Sequence, residues 1–449
     1  MFRGGKTWAA GETVAFHPGR LHGRRSHRVR SVTDSVNAPL PPRSAPVTPP
    51  VVGPVVGMVG GGQLARMTSQ AATGLGVGFR VLAGSAAESA AQVSAGTWLG
   101  DYRSLADLRA FAAGCDVVTF DHEHVPGPHL AALEQDGVQV RPGGAALRFT
   151  QDKLAMRERL TGLGVACPRF APVRTIAEVE EFTDGSWPVV LKAVSGGYDG
   201  KGVWVCDSAA DAATVLANMG LAHGAALAGG FGVIAEEYVA FERELAVLAA
   251  RSPHRQGAVY PVVQTVQRDG ICREVIAPAP GLAPGRAAQA QELALRIADE
   301  LGVTGLLAVE MFETPSGLLV NELAMRPHNC GHWTIEGART SQFEQHLRAV
   351  LDLPLGSPAM AAPVAVMANV LGGDDADVYD RYIHVMAADP AAKVHMYGKP
   401  VRPGRKIGHV TVTGDSEDWG DGVHADPAEL ADRARRAASY LRWGKEDGD

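Results

Sequence analysis

Short apolar runs, each closed by glycine, proline or a cluster of charge, recur along this chain from Val55 onward. Val55 to Leu82 reads as strand, glycine-rich turn, helix and second strand. Cys115 to Phe120 is a continuous apolar run, the mark of a buried strand, and opens into Asp121-His122-Glu123-His124. The span Gln151 to Leu163 has helical period, and Pro168 marks a boundary after it. Trp187 to Lys192 and Val203 to Cys206 read as strands flanking a glycine-rich loop. Phe231 to Val239 is a strand ending in acids, Glu244 begins the next, and Thr340 to Leu351 is a helix. Helical and strand periods alternating in this way predict an α/β protein.

The chemistry concentrates between Leu306 and Trp333. Two runs rich in Leu and Val flank Thr314-Pro315-Ser316-Gly317-Leu318, which predicts a hairpin with a three-residue loop and Gly317 left-handed. With Thr314 and Leu318 closing the loop, Glu310 falls opposite Glu322. Directly opposed residues share a face with Cβ atoms about 5 Å apart. Two carboxylates held so close call for a cation, and oxygen-only ligation suits Mg²⁺, which leaves other positions to water and phosphate. The alternative is a wet strand face on which each acid pairs with a nearby Lys or Arg. The apolar flanks favour a buried site. Arg326, His328 and Asn329 follow the second strand, donors suited to an oxyanion.

Other stretches carry weaker signals. Gly60-x-Gly62-x-x-Ala65 fits the fingerprint that brings a backbone to an anion at a helix N-terminus. No acid follows the second strand until Glu88, which favours phosphate over NAD at that turn. Glu123 lies at the carboxyl end of a strand, where ligands gather in parallel sheets; a metal on His122 and His124 is the less favoured reading. Ser195-Gly-Gly-Tyr-Asp-Gly-Lys-Gly202 is a flap able to close over phosphates, distinct from a Walker loop, with Lys192 just before it. Lys399, Arg402, Arg405 and Lys406 make a basic turn that is either solvated or reaches a substrate phosphate.

Composition narrows the classes. At 449 residues the chain is expected to hold two to four domains. It contains no apolar run long enough for a membrane span. Five scattered cysteines without a C-x-x-C pair argue against a zinc site or disulfide framework and fit a reducing cytoplasm. The net charge of −7 gives no reason to expect nucleic acid. Residues 1–52 carry eight Lys or Arg against two acids and end in a Pro-rich run. They read as a disordered extension, with a transit peptide or an upstream translation start as alternatives.

Taken together, GGGQLARM, DHEHVP, VLKAVSGGYDGKG, AEEYVAFERELAV, VNELAMRPHNCGHW and YGKPVRPGRKIGHVTV resemble the N5-carboxyaminoimidazole ribonucleotide synthase family of ATP-grasp enzymes, over residues 55 to 415. The resemblance implies an α/β ATP-grasp architecture: a Rossmann-like pre-ATP-grasp domain at 53–150, an ATP-grasp domain at 151–345 with its flap at about 170–240, a small β-rich domain at 346–420, and a helix and tail at 421–449. It implies ATP- and bicarbonate-dependent carboxylation of 5-aminoimidazole ribonucleotide through carboxyphosphate, a homodimer, and hand-off of the product to a mutase. Lys153, Lys192, Glu236, Glu237, Tyr238, Val239 and Glu244 would hold the nucleotide. Glu310 and Glu322, with Asn321 beside them, would carry Mg²⁺. Arg326, His328 and Asn329 would hold bicarbonate and carboxyphosphate. Tyr198, Asp199 and Lys201 would close on the ribonucleotide and the reactive centre, and Gln63, Leu64, Glu123, Lys399, Arg405 and Lys406 would bind the ribonucleotide. Departures from the family pattern are Lys153 for a frequent Arg, Gln267 for a frequent His, Cys330 for a usual Ser, and the Asp121-His122 pair. Competing readings are another ATP-grasp ligase (a formate-dependent glycinamide ribonucleotide transformylase or a biotin carboxylase), an NAD-dependent oxidoreductase, and a non-catalytic nucleotide-binding regulator.

Overall fold

The computed structural model describes residues 53–196, 202–219, 232–414 and 426–445; the N-terminal extension 1–52 lies outside them. Near-continuous apolar strands need cover on both faces, and the first sheet has it. β1 (Val55–Val59), β2 (Gly78–Ala83), β3 (Gly96–Leu99) and β4 (Val117–Phe120) are parallel, in the order β3-β2-β1-β4. The helix Gln63–Leu75 returns the chain from β1 to β2. Because the strands run the same way, Gly60–Gly62 after β1 and Asp121–Glu123 after β4 reach the same rim of the sheet.

The flap segment forms a four-stranded antiparallel sheet. Its strands are β5 (Phe170–Val173), β6 (Val189–Ala193), β7 (Val203–Cys206) and β8 (Val233–Glu237), in the order β5-β8-β6-β7. Val179 and Phe182 of one helix and Leu216 of another pack on Leu191 and Ala235 beneath them. The first of these helices starts at a capping box, in which Thr175 and Glu178 each accept from the other's backbone N–H.

The remaining strands make one nine-stranded antiparallel sheet. They are β9 (Arg243–Arg251), β10 (Gly257–Val259), β11 (Val263–Arg268), β12 (Ile271–Ala277), β13 (Gly305–Thr314), β14 (Gly317–Ala324), β15 (Ala365–Leu371), β16 (Lys393–Met396) and β17 (Lys406–Thr413). Their order is β14-β13-β9-β11-β12-β15-β17-β16, with β10 on β9. The strands read as a separate C-terminal domain thus continue this sheet through the β12–β15 pairing. The helix Pro427–Trp443, set apart in the sequence reading, covers a face of the same sheet: Leu430, Ala434 and Leu441 pack on Val366, Val410 and Val412.

Two helices differ from expectation. The helix read over Gln151–Leu163 is two, Gly144–Gln151 and Lys153–Gly162, because Asp152 is extended and its carboxylate accepts from Ala155 N at 2.9 Å as a new N-cap. The helix Gln342–Val350 is buried rather than plain, with Gln342, Gln345 and His346 wholly enclosed. It is packed against helix Gln63–Leu75 and β13, and His346 Nε2 lies 2.8 Å from Thr119 Oγ1 of β4, which ties the first sheet to the largest.

Candidate active site

The hairpin of β13 and β14 does bring Glu310 opposite Glu322, but by a different path from the expected three-residue loop. Thr314 pairs with Gly317, so the turn is the two residues Pro315 and Ser316, and Gly317 has φ +147°. Counted back from that turn without interruption, Glu310 would miss Glu322 by one. The register shifts between Met311 and Glu310, where β14 carries one extra residue, Asn321. A bulge of this kind re-aims side chains, and here Asn321 and Glu322, adjacent in sequence, both line the same cleft.

The two acids are in unequal electrostatic positions. Burial pushes the Glu310 carboxyl up to about 7, with Glu322 and Glu244 adding repulsion. Burial acts on Glu322 too, but Lys153, Lys192 and His328 hold it below the ordinary value. Lys153 Nζ lies 2.5 Å from Glu322 Oε1, whereas His328 Nε2 stands 3.7 Å from Glu310, with Lys406 and Lys153 offsetting its burial more weakly. The salt-bridge alternative is therefore realised for one acid and hardly at all for the other. Burial also lifts Glu244 to about 7. The donors present fit a hard cation: two carboxylates and an amide oxygen, with one carboxylate short of positive charge. Among the described residues no group of three or more His, Cys, Asp or Glu could hold a metal by itself. The pair accordingly suits Mg²⁺, which needs one or two carboxylates and takes phosphate and water for the rest.

Lys192, on β6, is held from two sides. Its Nζ is 2.7 Å from Glu236 Oε2 and donates to Asn321 Oδ1 at 2.9 Å. Burial lowers its pKa against the pull of Glu236. The family resemblance makes Glu236 a nucleotide contact, yet its carboxylate is committed inside the protein. Its other oxygen accepts from Arg157 Nε at 2.7 Å, and its backbone is paired between Phe170 and Val190 in the flap sheet. Glu237 ends β8 and accepts from Arg169 N at 2.7 Å, while Tyr238 is exposed. Sequence reading missed Arg157. The available signal was its position four residues after Lys153, on the same helix face.

Past β14, Arg326 Nε donates to Glu123 Oε2 at 2.7 Å, joining the hairpin exit to the rim of the first sheet. His328 Nδ1 is 3.1 Å from Cys330 Sγ, and Gln342 holds the backbone of His328 at both its N–H and its carbonyl. The Asn329 amide is buried beside Cys272, and it does not line the cleft.

The glycine-rich turn overturns one expectation. Asp121 accepts from Gly62 N at 2.5 Å and from Ala65 N at 3.1 Å, Glu88 accepts from Gly61 N at 3.1 Å, and Gly60 N donates to Leu82 O. The chain's own carboxylates thus occupy most of the anion cradle. A Cβ on Gly62 would come within 2.1 Å of Asp121 Oδ2, which explains the glycine there. Among the described residues nothing takes the N–H groups of Gln63 and Leu64, so those two are what the turn offers a ligand. The basic turn reaches this place: Lys399 Nζ hydrogen-bonds Gln63 Oε1, and Lys406 lines the cleft. Arg405 departs from expectation; it donates to Pro400 O at 3.3 Å and does not line the cleft.

One cleft of about 910 Å³ collects these groups. It is lined by Gln63, Leu64, Glu123, Lys153, Lys192, Glu236, Glu237, Tyr238, Val239 and Glu244, and beyond them by Glu310, Asn321, Glu322, Arg326, His328 and Lys406. Tyr198, Asp199 and Lys201 lie outside the described residues.

Three domain families match in order along the chain: the ribonucleotide synthetase preATP-grasp domain over residues 54–151, the ATP-grasp domain over 158–343, and the phosphoribosylaminoimidazole carboxylase C-terminal domain over 365–419. The N5-carboxyaminoimidazole ribonucleotide synthase of Mycobacterium tuberculosis is 54% identical over 391 residues, 86% of this chain and 87% of that one. The chain belongs to the N5-carboxyaminoimidazole ribonucleotide synthase family. The synthase of Corynebacterium ammoniagenes is 50% identical, covering 86% of this chain and 92% of its own. Among solved synthase structures, that from Thermus thermophilus is 36% identical with a TM-score of 0.73, covering 86% of this chain and 98% of that one. The Aspergillus clavatus synthase, in complex with ADP and 5-aminoimidazole ribonucleotide, is 31% identical with a TM-score of 0.73, covering 85% and 99%. This synthase fold explains why the cleft is bordered by all three sheets: it is the ATP-grasp arrangement, an ATP-binding ligase scaffold.

Proposed function

We propose that this cleft couples ATP cleavage to carboxylation of the amine of 5-aminoimidazole ribonucleotide, giving N5-carboxyaminoimidazole ribonucleotide, ADP and phosphate for purine biosynthesis. One observation carries the proposal: two facing acids, one short of positive charge, open onto Arg326 and His328 beside a lysine-lined pocket. Bicarbonate is a poor electrophile. Its oxygen attacks the γ-phosphorus in line, ADP leaves, and carboxyphosphate forms. Lys192 and Arg326 spread the charge that develops on the phosphoryl oxygens. Mg²⁺ held by Glu310 and Glu322, with Asn321 beside them, would neutralise phosphate charge there. Carboxyphosphate then yields its carboxyl group, as CO₂ released in place, to the amine; phosphate departs and the amine loses a proton.

The remaining roles follow the cleft from end to end. The strand reaching Glu237 and Val239 takes adenine, Glu244 the ribose, and Lys153 the nucleotide phosphates. His328 joins Arg326 around bicarbonate, and Asn329, buried behind the cleft wall, is left out of that role. Gln63, Leu64, Glu123, Lys399 and Lys406 bind the ribonucleotide, and Tyr198, Asp199 and Lys201 complete its cover. Carboxyphosphate hydrolyses readily, so excluding water is part of the chemistry. The chain works as a homodimer in the cytoplasm, where five free thiols are at home, and passes its unstable carbamate to a mutase. No described helix is long and apolar enough to cross a membrane.

The test is phosphate release from ATP and Mg²⁺, with bicarbonate and 5-aminoimidazole ribonucleotide supplied singly and together. Release should require both; release that ignores either one, or that formate with glycinamide ribonucleotide supports, overturns the proposal. Arg326→Ala should uncouple the reaction, so that phosphate released exceeds product carboxylated. A ratio that stays at parity would remove Arg326 from the bicarbonate site.

A further inference from the structure

Arg157 has no place among the groups that touch substrate, yet it is among the most enclosed side chains of the protein, with a relative exposure of 0%. A buried guanidinium needs partners for its charge and its five donors. It finds them on two different sheets. Nε donates to Glu236 Oε1 at 2.7 Å on β8 of the flap sheet, and Nη1 donates to Val320 O at 3.1 Å on β14 of the large sheet. Val320 is the residue just before Asn321, the extra residue of the bulge that places Asn321 and Glu322 in the cleft. Glu236, through its other oxygen, holds Lys192 Nζ at 2.7 Å, and the same Nζ donates to Asn321 Oδ1.

We infer that Arg157 is a positioning residue that sets Lys192 and the Asn321–Glu322 bulge in register for ATP and its metal. The argument is geometric. A carboxylate with only Lys192 for company would draw the ammonium toward both its oxygens and away from the cleft. Arg157 occupies one oxygen, so Glu236 grips Lys192 through the other and the ammonium still lines the cleft. The second donor of the same planar fork fixes the backbone at Val320. Movement of the flap strand relative to the hairpin must then break a charged hydrogen bond. A lysine could replace the charge but not the fork. The helix Lys153–Gly162 carries two of the three cations of this corner, Lys153 to Glu322 and Arg157 to Glu236, one turn apart, and Lys192 of β6 is the third.

The inference rests on the reading of Lys192 as a phosphate contact, and the experiment separates the two. With the full chain, KM for ATP, half-saturating Mg²⁺, and KM for bicarbonate and for 5-aminoimidazole ribonucleotide are measured for Lys192→Ala, Arg157→Lys and Arg157→Met. Lys192→Ala should raise the KM for ATP by at least about tenfold, as expected for loss of a charge-assisted contact. If it does not, the phosphate reading falls and the inference falls with it. Arg157→Lys, which keeps the buried charge, should raise KM for ATP and half-saturating Mg²⁺ by about fivefold, the order of one lost hydrogen bond. Arg157→Met should raise both further, while the constants for bicarbonate and ribonucleotide stay within about twofold, since no hydrogen bond to those groups is lost. A purely structural role predicts lower Tm and less active protein with every KM unchanged. With Lys192→Ala impaired, an Arg157→Lys variant whose ATP and Mg²⁺ constants match the parent overturns the positioning role. Should Arg157→Met fail to fold, the Arg157→Lys constants alone decide.

Discussion

Two turns in this molecule look alike on paper and behave oppositely. The glycine-rich turn after β1 and the hairpin between β13 and β14 both read as places built for an ion. At the first, the chain supplies its own counter-charge: Asp121 and Glu88 take the N–H groups of Gly61, Gly62 and Ala65. At the second, the chain leaves a deficit, with Glu310 raised to about 7 by burial and by the acids around it. A motif announces backbone geometry; whether it binds anything depends on what the rest of the fold brings to it. The deficit, not the motif, is what suits the hairpin to a cation.

The sharpest way to break this contrast is to neutralise the acids. Glu310→Gln and Glu322→Gln should each lower turnover by about 10²–10³-fold or more, the order seen when preorganised charge stabilisation is removed, while the fold survives. Near-normal turnover from both variants would end the metal-clamp reading. Acidity tests the same deficit differently. Glu310 has a folded-state pKa of about 7 against an ordinary value of 4.5, so the folded state binds the extra proton. Its contribution to stability is therefore greatest below the ordinary value and is lost as pH rises through about 7. Mg²⁺ with nucleotide should reverse that trend, raising Tm little at about pH 5.5 and substantially at about pH 8, because metal and proton compete for one carboxylate. A Tm gain independent of pH in the parent, or the same pH dependence in Glu310→Gln, would contradict it.

The other turn predicts smaller effects. Asp121→Ala removes the carboxylate that caps helix Gln63–Leu75 and should cost about 0.5–2 kcal/mol of stability, the usual worth of an N-cap. Denaturant unfolding measures it, and KM for the ribonucleotide should rise while KM for ATP does not. If Asp121→Ala instead tightens ribonucleotide binding, the carboxylate was competing with substrate phosphate for the turn. Least of all should Arg405→Ala matter. Its side chain serves Pro400 O outside the cleft, so KM for the ribonucleotide should change less than about twofold, whereas Lys406→Ala should raise it by about tenfold, as for loss of a charge-assisted contact.

How much of this could be read from residues alone follows from the range of the forces involved. The strand, turn, helix and strand of Val55 to Ala83 rest on local period and were legible, as was the facing of Glu310 and Glu322. That facing was reached through a compensating error, a loop one residue too long in place of a bulge. The bulge left no plain trace, because Leu318, Leu319 and Val320 are all apolar and only the fold shows that Leu318, Val320 and Leu323 are the buried ones. The Asp121 cap had none either, since its partners lie 59 and 56 residues away and any acid at a strand end looks the same locally. The lysine and glutamate of the flap were legible through resemblance, but not that Arg157 would absorb half of the Glu236 carboxylate. Burial of a cation is a property of the assembled sheets. The continuity of the C-terminal strands with the large sheet was hidden for the same reason, because strand pairing across ninety residues leaves no periodic mark at either end.

One paired sheet runs from β14 to β17, so the acid pair and the basic turn are two marks on a single rule. The interval between them cannot stretch to suit a guest unless pairing between strands is broken. The distance from acids to cations is thereby a property of strand pairing and not of any loop.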